Sequence, residues 1–160
     1  MSLSDIKAMK SERGFTIVEL LIVIVIIGIL AAIVIVAYTG ITQRANANAA
    51  KSNAQGIQKV AEAYMADTAG GNGSYPSTLV ALTGYSGVTK IPSGVTVNSA
   101  QLTSSHADGK TIQFIPDNTP TSGTGGCIAY WDSSLSTPAA VYLYVGGATA
   151  GSNVATPTCS

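Results

Sequence analysis

Charge is scarce in this chain, and over one stretch it is missing altogether. Only 10% of the 160 residues are Asp, Glu, Lys or Arg, and none falls between Leu20 and Gln43. Formal net charge is zero, with 8 basic and 8 acidic side chains. No basic stripe is therefore available to grip nucleic acid through its phosphates. The single histidine, His106, and the two cysteines, Cys127 and Cys159, fall short of the usual four ligands of a metal site. Asp117-Asn118 and Asp132 do not make the alternating ligand series of a dedicated calcium loop. No nucleophile, base and orienting acid stand in a recognisable spacing. The expectation is a non-enzyme with no cofactor and no metal.

What the chain does have is a division into unlike parts. Residues 1–14 are short, polar and slightly basic, with Lys7, Lys10 and Arg13. An apolar run follows from Phe15 to Ala37, FTIVELLIVIVIIGILAAIVIVA, and its length suits a bilayer span, which takes about 20 residues. An ordinary secretory signal carries its cleavage site after such a core. Here Ala31-Ala32 lies inside the run and no better site follows, so the order of segments predicts a retained helix. The basic residues before it predict an N-terminus in the cytoplasm, with the remainder outside.

Helical periodicity continues beyond the apolar run. Ile57, Val60, Ala61, Tyr64 and Met65 recur at helical spacing and form one face. Gln58, Lys59, Glu62 and Asp67 lie off it, and Ala69-Gly70-Gly71-Asn72-Gly73 is a strong stop. One helix from Phe15 to Thr68 would measure roughly 80 Å. A loop through Tyr75-Pro76-Ser77 and a short turn through Leu79 and Leu82 come next. Strand-like runs follow at Val95–Leu102, Thr111–Pro116, Cys127–Asp132 and Ala140–Val145. Asp108-Gly109 predicts a hairpin between the first two, and Ser133–Pro138 a second between the last two. His106 falls beside the first of these turns and reads as a turn residue. Trp131, Tyr130, Tyr142 and Tyr144 read as strand packing residues or as a surface for stacking on sugar or nucleic acid. The expected fold class is α+β: a long helix whose amphipathic half packs on a small antiparallel sheet.

The most informative residues are Arg13-Gly14-Phe15-Thr16-Ile17-Val18-Glu19-Leu20. A carboxylate in a membrane segment is disfavoured and requires a reason; a plain anchor gains nothing from Glu19. Cleavage between Gly14 and Phe15 supplies one. It creates an α-amine with an ordinary pKa of about 7.7–8.0, at a helix end whose dipole disfavours a cation. Glu19, one turn on, is the acid that neutralises this amine, either in its own chain or in a neighbour. Inside an apolar bundle an unpaired member of such a pair is strongly penalised, so pairing between chains would fix their axial register.

With those residues in view, positions 13–32 resemble the start of type IV prepilins and the related pseudopilins of type II secretion. The shared features are a basic residue, Gly, Phe-Thr, a Glu at this offset and a long aliphatic helix. The likeness is strong over about the first 40 residues and architectural beyond. It implies a leader, 1–14, removed by a prepilin peptidase, N-methylation of Phe15, and docking into a filament through Glu19 and Phe15. It also implies three further parts: a span and filament core, 15–37; an amphipathic continuation, 38–68; and an exported head, 69–160. After removal of the leader, 5 basic and 6 acidic side chains remain.

Cys127 and Cys159 lie in the polar half. An exporting compartment favours their pairing, and otherwise they are two separate thiols. The resemblance implies a disulfide closing a C-terminal loop. One departure is Val36, where the family often has a helix-kinking proline. Gly28 is then the remaining weak point, and any unwinding in a filament is expected between Gly28 and Val36. The partners implied are further copies of the chain, the cytoplasmic membrane before assembly, the peptidase and the pilus assembly machinery. The resulting reading is a surface-filament subunit serving adhesion, motility or DNA uptake. Its rivals are a type II secretion pseudopilin and a membrane-anchored extracellular binding module.

Overall fold

Helix and sheet follow one another along the chain in the computed structural model, which describes residues 14–117 and 124–148. Its elements are α1 (Ile17–Ala66), α2 (Leu79–Thr83), β1 (Thr96–Asn98), a 3-10 turn (Ser104–His106), β2 (Thr111–Pro116), β3 (Gly125–Asp132) and β4 (Ala139–Gly146). They fall into two units, one ending at Thr39 and the other beginning at Gly40.

The first unit is the apolar part of α1. Every residue from Phe15 to Thr39 is exposed, its large apolar side chains ranging from Ile26 at 50% to Ile17 at 87%. Its length and composition suffice to cross a membrane. A helix pairs its own N–H and C=O groups and so can occupy hydrocarbon without unsatisfied backbone. Gly28 and Val36 both lie within unbroken α-helix in this free chain.

The second unit is an α+β head. The rest of α1 buries Ala47, Ala50, Ala54, Ile57, Val60 and Ala61 along one stripe. The alanines leave no bulk, so the sheet can come close. Tyr64 and Met65, expected on this stripe, are half-buried. Against the stripe lie Ile112 and Phe114 of β2, Ile128 and Tyr130 of β3, and Val145 of β4. Leu82 of α2 completes the cluster, and the Thr78 hydroxyl caps α2 by accepting from the Ala81 N–H at 3.1 Å.

The sheet order is β1-β2-β3-β4. Antiparallel pairing holds for β2 with β3 and β3 with β4, and Ser133–Pro138 is the expected hairpin link. The first predicted hairpin is not formed. Strand β1 is only Thr96–Asn98, and it runs parallel to β2, with Thr96 opposite Thr111, so the sheet is mixed rather than wholly antiparallel. Residues 99–110 return the chain to the start of β2, a connection long enough for parallel pairing.

The Asp108-Gly109 turn is used differently. A Cβ on Gly109 (φ +73) would lie 2.6 Å from the Asn46 carbonyl oxygen, and Asn53 Nδ2 donates to the Gly109 carbonyl at 2.8 Å. The turn is therefore seated on α1 instead of joining two neighbouring strands. His106 sits in the 3-10 turn just before it, its Nδ1 accepting from the Thr103 N–H at 3.0 Å.

Where α1 ends, Asp67 holds the following loop. Its carboxylate accepts from the Ala69 N–H and from the Tyr85 hydroxyl, both at 2.9 Å. The Tyr85 ring meets Tyr64 edge-on at 5.5 Å. The Ala69 N–H, and then the Tyr85 hydroxyl, hold the Asp67 carboxyl below its ordinary range. Desolvation, and then the bond to Asp67, pushes the Tyr85 phenol up.

Two predictions follow from this head. Gly109→Ala should destabilise the full chain in detergent micelles by about 1–3 kcal/mol, through φ strain and the clash with α1. Gly94→Ala, with positive φ but open space, should cost only the strain, about 1–2 kcal/mol; equal costs in thermal unfolding would show that the turn is not seated on α1. The second concerns pH. Asp67's contribution is full above the unfolded carboxyl pKa of about 3.9 and is lost as pH falls through the lower folded value. Tyr85's contribution is full below about 10 and is lost as pH rises through the higher folded value. Amide exchange of residues 67–87 should thus show protection falling at both extremes. Tyr85→Phe should remove the alkaline arm and weaken the acid one, whereas an unchanged profile would refute the link.

Candidate functional site

The start of α1 is built from four consecutive features. Gly14, Phe15 and Thr16 lie outside the helix, and Ile17 is its first residue. Thr16 and Glu19 then close a reciprocal cap. The Glu19 N–H donates to Thr16 Oγ1 at 3.2 Å. In return, Glu19 Oε2 accepts from the Thr16 N–H at 3.0 Å and from the Thr16 hydroxyl at 2.9 Å. This is the Thr-x-x-Glu capping box, which satisfies two backbone donors that a helix leaves orphaned. The carboxylate also sits where the helix dipole favours negative charge.

Glu19 therefore has a local task before any partner chain is considered: it holds the first turn of α1 closed. Thr16 stands in the sequence motif without a role of its own, although Thr16-Ile17-Val18-Glu19 immediately before an apolar run is the signal of such a cap. The cap places the carboxylate beside the bond between Phe15 and Thr16, the neighbourhood in which cleavage after Gly14 would free an amine. Phe15 is 85% exposed, and among the described residues nothing lies within 4 Å of a Cβ built on Gly14.

The other residues marked in the sequence lie apart. Gly28 and Val36 are further along the exposed helix. Cys127 is buried in β3, opposite Tyr144 of β4, while Cys159, the leader up to Arg13 and Asn118 lie outside the described residues. Asp117 is buried and accepts from the Thr124 hydroxyl. Among the described residues no group of three His, Cys, Asp or Glu side chains is placed to hold a metal ion.

Comparisons with known proteins converge on this helix start and extend past it. The family described as "Prokaryotic N-terminal methylation motif" matches residues 9–35. A fimbrial protein of Pseudomonas aeruginosa is 46% identical over 54 residues, 34% of this chain and 35% of that protein. The chain thus spans about a third of the length of the Pseudomonas fimbrial proteins it matches. A type II secretion system core protein G of Escherichia coli is 35% identical over 72 residues, 45% of this chain and 47% of the relative. The type IV wide pilus major component of Thermus thermophilus is 35% identical over 113 residues, 66% of this chain and 82% of the relative. No solved structure matches the chain. With more than four-fifths of a pilus major component aligned, and with the methylation motif lying over the capped start of an exposed apolar helix, the chain belongs to the type IV pilin family.

Proposed function

We propose that this chain is the structural subunit of a type IV pilus, held in the cytoplasmic membrane as a precursor and polymerised through α1 into a surface filament. The observation that carries the proposal is the character of α1 from Ile17 to Ile41: exposed on all sides, apolar, and interrupted by one acid at its start. A helix of that kind is at home in lipid, and equally in a bundle of its own copies, where side-chain packing replaces lipid contacts. Transfer from one to the other needs no new fold in the head.

In this reading a prepilin peptidase removes residues 1–14, cutting after Gly14, and the freed Phe15 amine is methylated. Lys7, Lys10 and Arg13 hold the precursor's N-terminus on the cytoplasmic side. The amine enters the neighbourhood of the Glu19 carboxylate, which has already been fixed by Thr16. In the filament the pairing of amine and carboxylate sets the axial register between chains. The unbroken segment from Gly28 to Val36 is where assembly can unwind the helix, because glycine resists unwinding least. In this reading too, Cys127 pairs with Cys159 to close the C-terminal loop of an exported head. Adhesion, motility or DNA uptake are the activities such a filament serves.

A second reading, a pseudopilin of a type II secretion system, is favoured by the relatives named core protein G. Long surface filaments that vanish when this chain is absent support the pilus; secretion defects without such filaments support the pseudopilus.

The two tasks of Glu19 separate by mutation. Glu19→Leu should leave membrane insertion intact but lower the yield of filaments by more than about tenfold, as expected when one member of a desolvated charge pair is removed. Thr16→Val removes the hydroxyl cap and should cost about 1 kcal/mol of helix stability, while filaments still form. If both variants lose filaments equally, Glu19 acts as a cap and the pairing account is wrong. For the loop, Cys159→Ser should preserve insertion and make the head easier to proteolyse, since closing a loop of this size contributes about 3–4 kcal/mol. Equal protease resistance with and without Cys159 would rule out the bridge.

A further inference from the structure

The inner face of the sheet is occupied by α1, whereas its outer face carries the aromatic residues left over from that packing. Side chains alternate along each strand, and the register places Gln113, Ala129 and Tyr142 in one row across β2, β3 and β4. In the next row Trp131 stands opposite Ala140. Trp131 and Tyr142 are thus diagonal neighbours on one face, half-buried and with alanines opposite them.

A second wall rises from the connection between β1 and β2. Leu102 anchors it in the core. Gln113 Nε2 donates to the Ser99 carbonyl at 3.2 Å, and the Thr103–His106 cap fixes the turn that follows. Between wall and sheet lies a groove of about 690 Å³, lined by Gln101, Thr103, Ser104, Trp131, Pro138 and Tyr142 among others. That volume is in the range of small-ligand sites.

The lining has a definite chemistry. Among the described residues it offers two aromatic rings, a carboxamide and the hydroxyls of Thr103, Ser104 and Tyr142, and no carboxylate, lysine or arginine. Phosphate groups would find no cation there, which disfavours nucleic acid. An apolar side chain from a second copy would leave the polar half of the groove unpaired. A pyranose ring satisfies both halves, since its C–H face stacks on an aromatic ring while its rim of hydroxyls meets amide and hydroxyl groups. We infer that this groove binds a neutral hexopyranose unit of a polysaccharide chain. The inference concerns the head alone and stands whether or not the chain forms filaments.

Trp131 is the single tryptophan of the chain, so the tryptophan emission comes from the lining of this groove. The full chain in lauryldimethylamine oxide micelles, which carry no sugar headgroup, is titrated with cellohexaose, maltohexaose and chitohexaose. At least one should change the emission saturably. Gln101→Ala, at an exposed position, and Tyr142→Leu, which keeps apolar volume but loses the flat face, should each weaken that response by about tenfold. Circular dichroism checks that both remain folded. Silence with all three sugars overturns the inference. So does an equal response in the variants, a response to oligothymidylate instead, or an emission change that follows protein concentration alone, as docking of a second copy would give.

Discussion

An apolar helix that no described residue of its own unit covers is the constraint from which the rest of this protein follows. From Phe15 to Ile41 no side chain of α1 is buried, so this surface must meet lipid or other copies of itself. Water is the one surrounding it cannot tolerate, since burial of that many β-branched and aliphatic side chains is worth about 1.5–3 kcal/mol apiece. Everything polar at the helix start is arranged around that fact. The orphaned N–H groups are closed by Thr16 and Glu19 rather than by solvent, and the only acid in the segment has its hydrogen bonds in place before a partner arrives.

The head solves a different problem, that of covering one stripe of the same helix with a small sheet. Ala47, Ala50 and Ala54 give up side-chain volume so that backbone can approach, and the Gly109 turn uses the space by resting on the helix near Asn46. Larger residues farther along, Ile57 and Val60, share one buried cluster with Phe114 and Ile128. The inner face is then full, and the rings of Trp131 and Tyr142 are left to the outside, where they border the groove.

The features most legible in the sequence were those with a strong local period or a strong local exclusion. The apolar run, the stop at Gly70-Gly71-Asn72-Gly73 and strand β2 all emerge where the residue pattern puts them. The expected hairpin at Asp108-Gly109 failed for a non-local reason. The turn signal is real, but whether it reverses a strand or packs on a helix depends on Asn53 and Asn46, more than fifty residues away. Strand β1 shortened for the same reason, because Ser99 to Gln101 leave the ladder to form a wall over Gln113. At the site, Glu19 stands out as an anomaly of charge, while the capping role of Thr16 rests on the Thr-x-x-Glu spacing alone and is confirmed by its hydrogen bonds. The groove needed the register between β3 and β4, which no residue pattern states.

The central claim is that the helix enters its final surroundings with a new, charged terminus beside Glu19. Mass spectrometry of the N-terminal peptide from material sheared off the cell surface tests it most directly. The account predicts a chain beginning at Phe15 and carrying one added methyl group on its amine. Surface filaments built from chains that still begin before Gly14 would contradict it.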